Sequence, residues 1–187
     1  MRLIVGISGG SCAIYGVGLL KVLKELNIET HLVVSTMGEY VLEHECGYKL
    51  EDVRKLASYS YDNKDLGAAI ASGSFKTDGM IIVPCSMKTL SAVANGYSES
   101  LLTRAADVCI KEGRKLILVP RETPLSPIHL ENMLKLSRIG VKIMPASPAF
   151  YNNPISISDL VAFMVGRILD QLDIEHSLFI RWGEQNG

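Results

Sequence analysis

Five short apolar runs rich in β-forming residues punctuate this chain, and segments with helical periodicity separate them. That alternation restricts the fold more than any other feature. The runs lie at about 2–7, 30–34, 79–84, 115–119 and 141–144. Between the first two, residues 13–26 place Ile14, Val17, Leu20 and Leu23 on one helical face and end near Asn27. Segments at about 38–46, 64–72, 88–95, 98–112 and 126–138 behave in the same way. Residues 156–172 carry the last strong helical pattern, with Ser156 or Ser158 as its cap. Strands that alternate with helices pair in parallel and are covered by helices on both faces. The expected architecture is therefore a three-layer αβα sandwich with a doubly wound, Rossmann/flavodoxin-like parallel sheet, formed by residues 1–187 as one domain. The hydrophobic fraction of 48% suits strands buried on both faces and leaves apolar surface for subunit contacts. The tail at about 173–187 lacks a clear pattern, and Trp182 is expected to dock it on its own body or on a neighbouring subunit.

Charge and cysteine usage remove several function classes. The formal net charge is -1, with both signs mixed along the chain, so nothing marks a nucleic-acid surface. No apolar run reaches the roughly 18–20 residues of a membrane helix. The N-terminus leads straight into a strand, which predicts no signal peptide and a cytoplasmic location. Cys12, Cys46, Cys85 and Cys109 show no paired spacing and read as free thiols. The four histidines are scattered, and His44 and Cys46 cannot share a helical face, so no metal site is expected.

In doubly wound sheets, ligands sit beyond the carboxyl ends of the strands, near the point where strand order reverses. Each strand end here leads into chemically loaded residues. The first gives Gly9-Gly10-Ser11, the second Ser35, the third Ser86-Met87-Lys88-Thr89, the fourth Arg121-Glu122, and the fifth runs on to Tyr151-Asn152. A strand that ends in Ser-x-Lys-Thr at a helix start is an anion cradle, because unpaired N–H groups, hydroxyls and an ammonium converge there. Two cradles in one small chain suit a nucleotide-sized ligand. The first loop is not Gly-x-Gly-x-x-Gly, and strand two ends in Ser35, not in the acidic residue that holds a dinucleotide ribose. A mononucleotide is favoured over NAD. Simpler readings stay open: Ser11 as a helix cap, Ser86 with Lys88 as a cap plus a solvated charge, and Arg104, Asp107 and Lys111 as helix surface pairs. Glu45 likewise reads as one of three surface carboxylates, with Glu39 and Glu43.

Gly9-Gly10-Ser11, Pro84-Cys85-Ser86-Met87-Lys88-Thr89-Leu90, Arg104-Ala105-Ala106-Asp107, Pro120-Arg121-Glu122-Thr123-Pro124-Leu125 and Pro148-Ala149-Phe150-Tyr151 follow one another in an order that resembles the UbiX family of flavin prenyltransferases. The resemblance spans nearly the whole chain. Phe75-Lys76-Thr77-Asp78-Gly79-Met80 and Leu130-Glu131-Asn132-Met133-Leu134 are most similar to the branch named, after a partner's activity, for phenolic (hydroxyarylic) acid decarboxylase.

The resemblance implies transfer of a dimethylallyl group from dimethylallyl phosphate to N5 and C6 of reduced FMN, without a metal. The product, prenylated FMN, would pass to a UbiD-type aromatic acid decarboxylase. By the family pattern Gly9, Gly10, Ser11, Ser35, Ser86, Met87, Lys88, Thr89 and Arg121 hold FMN. Tyr151 and Arg167 hold the prenyl phosphate, with Arg104, Lys111 and Glu122 lining that pocket. Ser11 and Glu45 manage protons, and Glu122 joins them as a catalytic candidate. A homo-oligomer, commonly a dodecamer, is also implied. The family loop usually reads Gly-Ala-Ser-Gly or Gly-Ala-Thr-Gly; Gly10 and Cys12 depart from it, and a positive φ at Cys12 would be strained. Two other readings compete. A flavin-dependent cysteine decarboxylase needs a histidine after the loop, where this chain has Ala13-Ile14-Tyr15-Gly16. A non-catalytic FMN-binding carrier subunit of a decarboxylase complex need not keep Tyr151 and Arg167.

Overall fold

The computed structural model describes residues 1–183. Its core is a six-stranded, wholly parallel sheet in the order β3-β2-β1-β4-β5-β6. The strands are β1 (Arg2–Ile7), β2 (Glu29–Val34), β3 (Tyr59–Tyr61), β4 (Gly79–Cys85), β5 (Lys115–Pro120) and β6 (Lys142–Ile143). Ile4 of β1 pairs with His31 of β2 on one side and Met80 of β4 on the other. All seven residues of β4 are buried, as a central strand covered on both faces requires.

Among the described residues the helices are α1 (Ile14–Glu25), α2 (Thr36–Cys46), α3 (Leu50–Arg54), α4 (Met87–Ala94), α5 (Leu101–Lys111), α6 (Pro127–Arg138) and α7 (Ile157–Gln171). Alternate residues of each strand feed two separate cores. Ile81 and Val83 of β4 face Leu20, Leu23, Ile168 and Leu169 of α1 and α7. Met80 and Ile82 face Leu90, Leu102, Ala105 and Leu136 of α4, α5 and α6. The sheet thus divides the α1/α7 layer from the α4/α5/α6 layer, and that division matters for the site below.

Serine caps start most of these helices: Ser35, Ser86, Ser100, Ser126 and Ser156 each accept an N–H of the first turn. Gly47, at φ 68°, closes α2 in the left-handed conformation that favours glycine.

Three expectations need correction. Residues 64–72 form turns and a short 3-10 segment, Ala69–Ala71, not a helix. Gly67 and Gly73 flank it, and Asp65 bonds the Gly67 N–H through its side chain at 3.0 Å, a local bond that competes with helix. The sheet has a sixth strand, β3, whose three residues are too few to show an alternating pattern. β3 is held by pairing with β2 and by the Tyr61 hydroxyl, 2.8 Å from buried His31. Ser11 does not cap α1; the cap position is Ala13, with no side-chain bond.

Candidate active site

Strands β1 and β4 are neighbours, but the chain leaves them in opposite directions across the sheet, so the order reverses between them. Their outgoing loops are tied edge to edge by Ser8. The buried Ser8 hydroxyl donates to the Pro84 carbonyl at 3.0 Å and accepts the Ser86 N–H at 2.8 Å, and the Ser8 N–H donates to the same carbonyl at 3.1 Å. The Gly9-Gly10-Ser11 loop and the start of α4 therefore form one rigid edge. Beside them α2 begins at Ser35, whose N–H bonds the Ile7 carbonyl at 2.9 Å.

The three segments enclose a cleft of about 510 Å³ lined by Gly9, Ser35, Met37, Ser86, Lys88 and Thr89, with Asn63, Tyr97 and Glu99 on its outer wall. That volume lies within the usual range for small-molecule sites. Two helix N-termini, α2 and α4, open onto it, and their dipoles and first-turn N–H groups favour an anion. Gly9 is required by close packing, since a Cβ there would lie 2.5 Å from Met37 Cβ. The Ser86 hydroxyl donates to Thr89 Oγ1 at 3.1 Å, which fixes both hydroxyls at the helix start. Lys88 is exposed at the cleft and Met87 precedes it in the same turn. Arg121 follows Pro120, the residue paired with Cys85 across β4 and β5, so its backbone emerges beside the Ser86 loop.

Glu45 lies at the end of α2 and reaches back to the first loop. Its Oε2 accepts the Cys12 N–H at 2.8 Å. Cys12 has φ 75°, the left-handed region where the glycine of the related loop would be unstrained. The positive φ that the Gly-to-Cys departure put in question is therefore adopted, with local strain at Cys12, and it turns the Cys12 N–H toward Glu45. Glu122 is exposed after β5, its carboxylate 3.2 Å from the Thr123 N–H.

The candidate prenyl-phosphate residues fall into two groups. Tyr151 packs edge-on to Phe163 and Trp182, at ring distances of 5.8 and 5.2 Å, on the α1/α7 side. Arg167 stands on α7 and donates to Asp170 at 2.8 Å. Arg104 and Lys111 stand on α5, in the opposite layer. Arg104 bonds Asp107 at 2.9 Å and the Ala71 carbonyl at 3.2 Å, and Lys111 pairs with Glu112 at 3.2 Å. The helix surface pair Arg104–Asp107 expected from spacing is present, and Lys111 turns to Glu112 instead of Asp107. One chain does not bring these four side chains together. Beside Tyr151, the Asn152 carboxamide is buried and its two polar atoms have no partner among the described residues.

The cysteines offer no nucleophile in the cleft. Burial pushes Cys85, beside the cradle, far above its ordinary pKa, and pushes Cys109 up to about 11. No cluster of three metal-ligating side chains exists among the described residues, nor is any helix there long and apolar enough to cross a membrane.

The Flavoprotein family profile matches residues 1–169. A "Probable UbiX-like flavin prenyltransferase" of Escherichia coli O111:H- is 55% identical over 183 residues, covering 97% of this chain and 93% of the relative. The chain belongs to the UbiX-like flavoproteins. A crystal structure described as a dodecameric FMN-dependent UbiX-like decarboxylase from Escherichia coli O157:H7 superposes with a TM-score of 0.96 at 54% identity, covering 97% of this chain and 99% of that one. AnUbiX (PadA1), solved with FMN and dimethylallyl pyrophosphate, has a TM-score of 0.96 at 48% identity, covering 97% of each chain.

Membership in the UbiX-like group accounts for the residues found by motif, and it does not extend to all that matter. Ser8 escapes a reading of the sequence, because a serine at the end of an apolar run carries no local mark; only its position one residue before Gly9 hints at it. Asp170 escapes for a similar reason, being one more acidic residue on a helix face. Gly9, Ser35, Ser86, Lys88 and Thr89 are all expected from sequence and all meet at one cleft.

Proposed function

We propose that this chain is a flavin prenyltransferase. It transfers the dimethylallyl group of dimethylallyl phosphate to N5 and C6 of reduced FMN, and the prenylated FMN serves a UbiD-type aromatic acid decarboxylase. The observation that carries the reading is the junction of the two cradles by Ser8, with the Glu45 carboxylate docked on the loop between them. The relatives and neighbours described above support it. Gly9, Gly10, Ser11, Ser35, Ser86, Met87, Lys88, Thr89 and Arg121 form the FMN site in this reading, with the phosphate at the α2 and α4 N-termini beside Lys88. The residues present fit that group: the cleft has the right volume, and it holds helix N-termini for an anion and glycine backbone for close approach.

Reduced FMN, when bound, supplies the nucleophilic positions that take the prenyl carbon as the C–O bond of the allylic phosphate breaks and phosphate leaves. Tyr151 and Arg167 receive the leaving phosphate, whose growing charge a hydroxyl and a guanidinium stabilise without a metal. Arg104 and Lys111 belong to the same pocket only if a neighbouring subunit supplies them, because the sheet separates them from Tyr151 within one chain. The reading therefore calls for a homo-oligomer, a dodecamer on the pattern of its neighbour. Glu45 holds or moves a proton at the loop, with Oε2 fixed by the Cys12 N–H. Ser11 stands one residue before that contact, and Glu122 stands beside Arg121.

Anaerobic incubation with reduced FMN and dimethylallyl phosphate is expected to yield, by mass spectrometry, a flavin heavier by one prenyl unit. Unmodified FMN from a preparation shown to bind both compounds would overturn the proposal in favour of an FMN-carrying subunit.

A further inference from the structure

Asp170, near the end of α7, is the most heavily engaged carboxylate among the described residues, and the proposed reaction does not use it. Its Oδ2 accepts Arg167 Nη1 at 2.8 Å. Its Oδ1 accepts Arg181 Nη2 at 2.8 Å and His176 Nε2 at 3.2 Å. The Leu178 N–H donates to His176 Nδ1 at 3.2 Å, so Nε2 carries the proton and the imidazole bonds Asp170 without needing a charge. Burial by itself would raise the Asp170 pKa, but Arg181 and His176 together outweigh it and hold the carboxyl below its ordinary value. Asp170 side-chain exposure is 14%, and that of His176 is 3%.

A second observation shows that the C-terminal segment is built to lie on this helix. A Cβ at Gly166 would stand 2.6 Å from the Phe179 ring and 2.7 Å from the His176 ring. Real Cβ contacts essentially never come so close, so the absence of a side chain there is what lets both rings seat on α7. One residue beyond Arg181, Trp182 meets Tyr151 edge-on at 5.2 Å. A single carboxylate thus touches the guanidinium of Arg167 and, through Arg181, ties down the segment that reaches Tyr151.

We infer that Asp170 is a positioning residue: it orients Arg167 for the prenyl phosphate and straps the C-terminal segment across to Tyr151. The inference rests on the reading of Tyr151 and Arg167 as phosphate ligands. Asp170 uses Nη1 of Arg167 and leaves Nε and Nη2 to grip an anion, the planar fork being fixed by the bond already made. Loss of that bond frees a long side chain, and the anion must then order it on binding.

The test is equilibrium binding of dimethylallyl phosphate to FMN-loaded protein by calorimetry, which needs no turnover. Asp170→Asn is expected to raise its Kd roughly tenfold, the effect of about one charge-assisted hydrogen bond, with FMN affinity unchanged. Asp170→Glu is expected to recover most of the loss. In an Arg167→Ala background Asp170→Asn is expected to add less than it does alone, since the bond between the two is already gone and only the strap remains to be lost. The chain has one tryptophan, so its fluorescence anisotropy in FMN-free protein reads the strap directly. It is expected to fall in Asp170→Asn, Arg181→Ala and Gly166→Ala and to hold in Arg167→Ala.

A Kd unchanged by Asp170→Asn while Arg167→Ala raises it would overturn the positioning role. A Kd unchanged by both variants would overturn the phosphate site as well. Anisotropy unchanged in Arg181→Ala and Gly166→Ala would overturn the strap even if Asp170→Asn fails to fold. Tight binding with no prenylation would sink the proposed function and leave this inference standing.

Discussion

The two ends of the central sheet both carry polar residues and treat them in opposite ways. At the N-terminal edge, Arg2 pairs with Glu29 at 2.7 Å, Glu29 also meets buried His31 at 2.9 Å, and the Arg2 N–H bonds Asp78 at 2.6 Å. Arg114 donates there to the carbonyls of Phe75 and Gly73 at 2.9 and 2.5 Å, and Lys115 pairs with Asp173. A hollow of about 620 Å³ at that edge is walled by Arg2, Glu29, Asp78, Glu112 and Arg114 among others, charges of both signs. At the C-terminal edge, the side chains of Ser11, Lys88 and Arg121 make no hydrogen bond or ion pair among the described residues, and two helix N-termini open onto the cleft that Lys88 lines. Charges are paired around the larger hollow, and the smaller cleft is the one that the proposed function takes as the FMN site.

Substitutions at the two ends should therefore fail in different assays. The largest difference is expected for Glu45→Gln, which should slow prenylation by about 10²–10⁴-fold with FMN affinity nearly unchanged, whereas Glu29→Gln at the N-terminal edge leaves the rate alone. Rapid-quench mass spectrometry reads both, and an equal slowing by the two would break the contrast. Next, Lys88→Ala and Arg121→Ala should each weaken FMN binding by roughly 10–100-fold at unchanged melting temperature. A fall in melting temperature without loss of flavin would assign them to the fold. Ser8→Ala strands the Ser86 N–H and should cost about 1–3 kcal/mol of stability, in denaturant titration, together with a loss of FMN affinity; normal flavin binding would show that the cradles hold without it.

Smaller effects sharpen the picture. Cys12→Gly relieves a left-handed residue, a gain of about 1–2 kcal/mol set against about 0.5–1 kcal/mol of glycine chain entropy. A small net stabilisation is expected in the same titration, and a destabilised variant would mean that the Cys12 side chain packs usefully. Finally, Arg2 first and His31 next hold the Glu29 carboxyl below its ordinary pKa. A lowered folded-state pKa contributes stability above the unfolded value, lost as pH falls through the folded one. Acid titration should thus weaken wild type slightly more than Glu29→Gln below about pH 4.3, with FMN-site geometry unaffected until global unfolding.

How much of this is legible in the sequence differs from element to element. The strands at 2–7 and 79–84 and the α1 and α7 helices are readable because burial repeats with the period of the element itself. Ser86 is readable as a cap because its bond to the Thr89 N–H closes within one turn. β3 is not, since an exposed three-residue edge strand exists only through its neighbour. Glu45 looks like any surface carboxylate; its partner Cys12 lies 33 residues away. Ser8 and Ser86 are 78 apart, and the bond between them depends on β1 and β4 lying side by side. Arg104 and Lys111 match a motif, but a motif has no layer, and the sheet places them behind the residues they are expected to join.

Local pattern and residue chemistry thus settled the α/β class, the chemically loaded strand ends and the absence of an acidic residue at the end of strand two, because each is encoded within a few residues. Tertiary packing decided which loops touch, which carboxylate reaches the loop after β1, and that Asp170 links Arg167 to the C-terminal segment. Those contacts form between distant stretches of chain, and they depend on strand order and on the side of the sheet each helix covers.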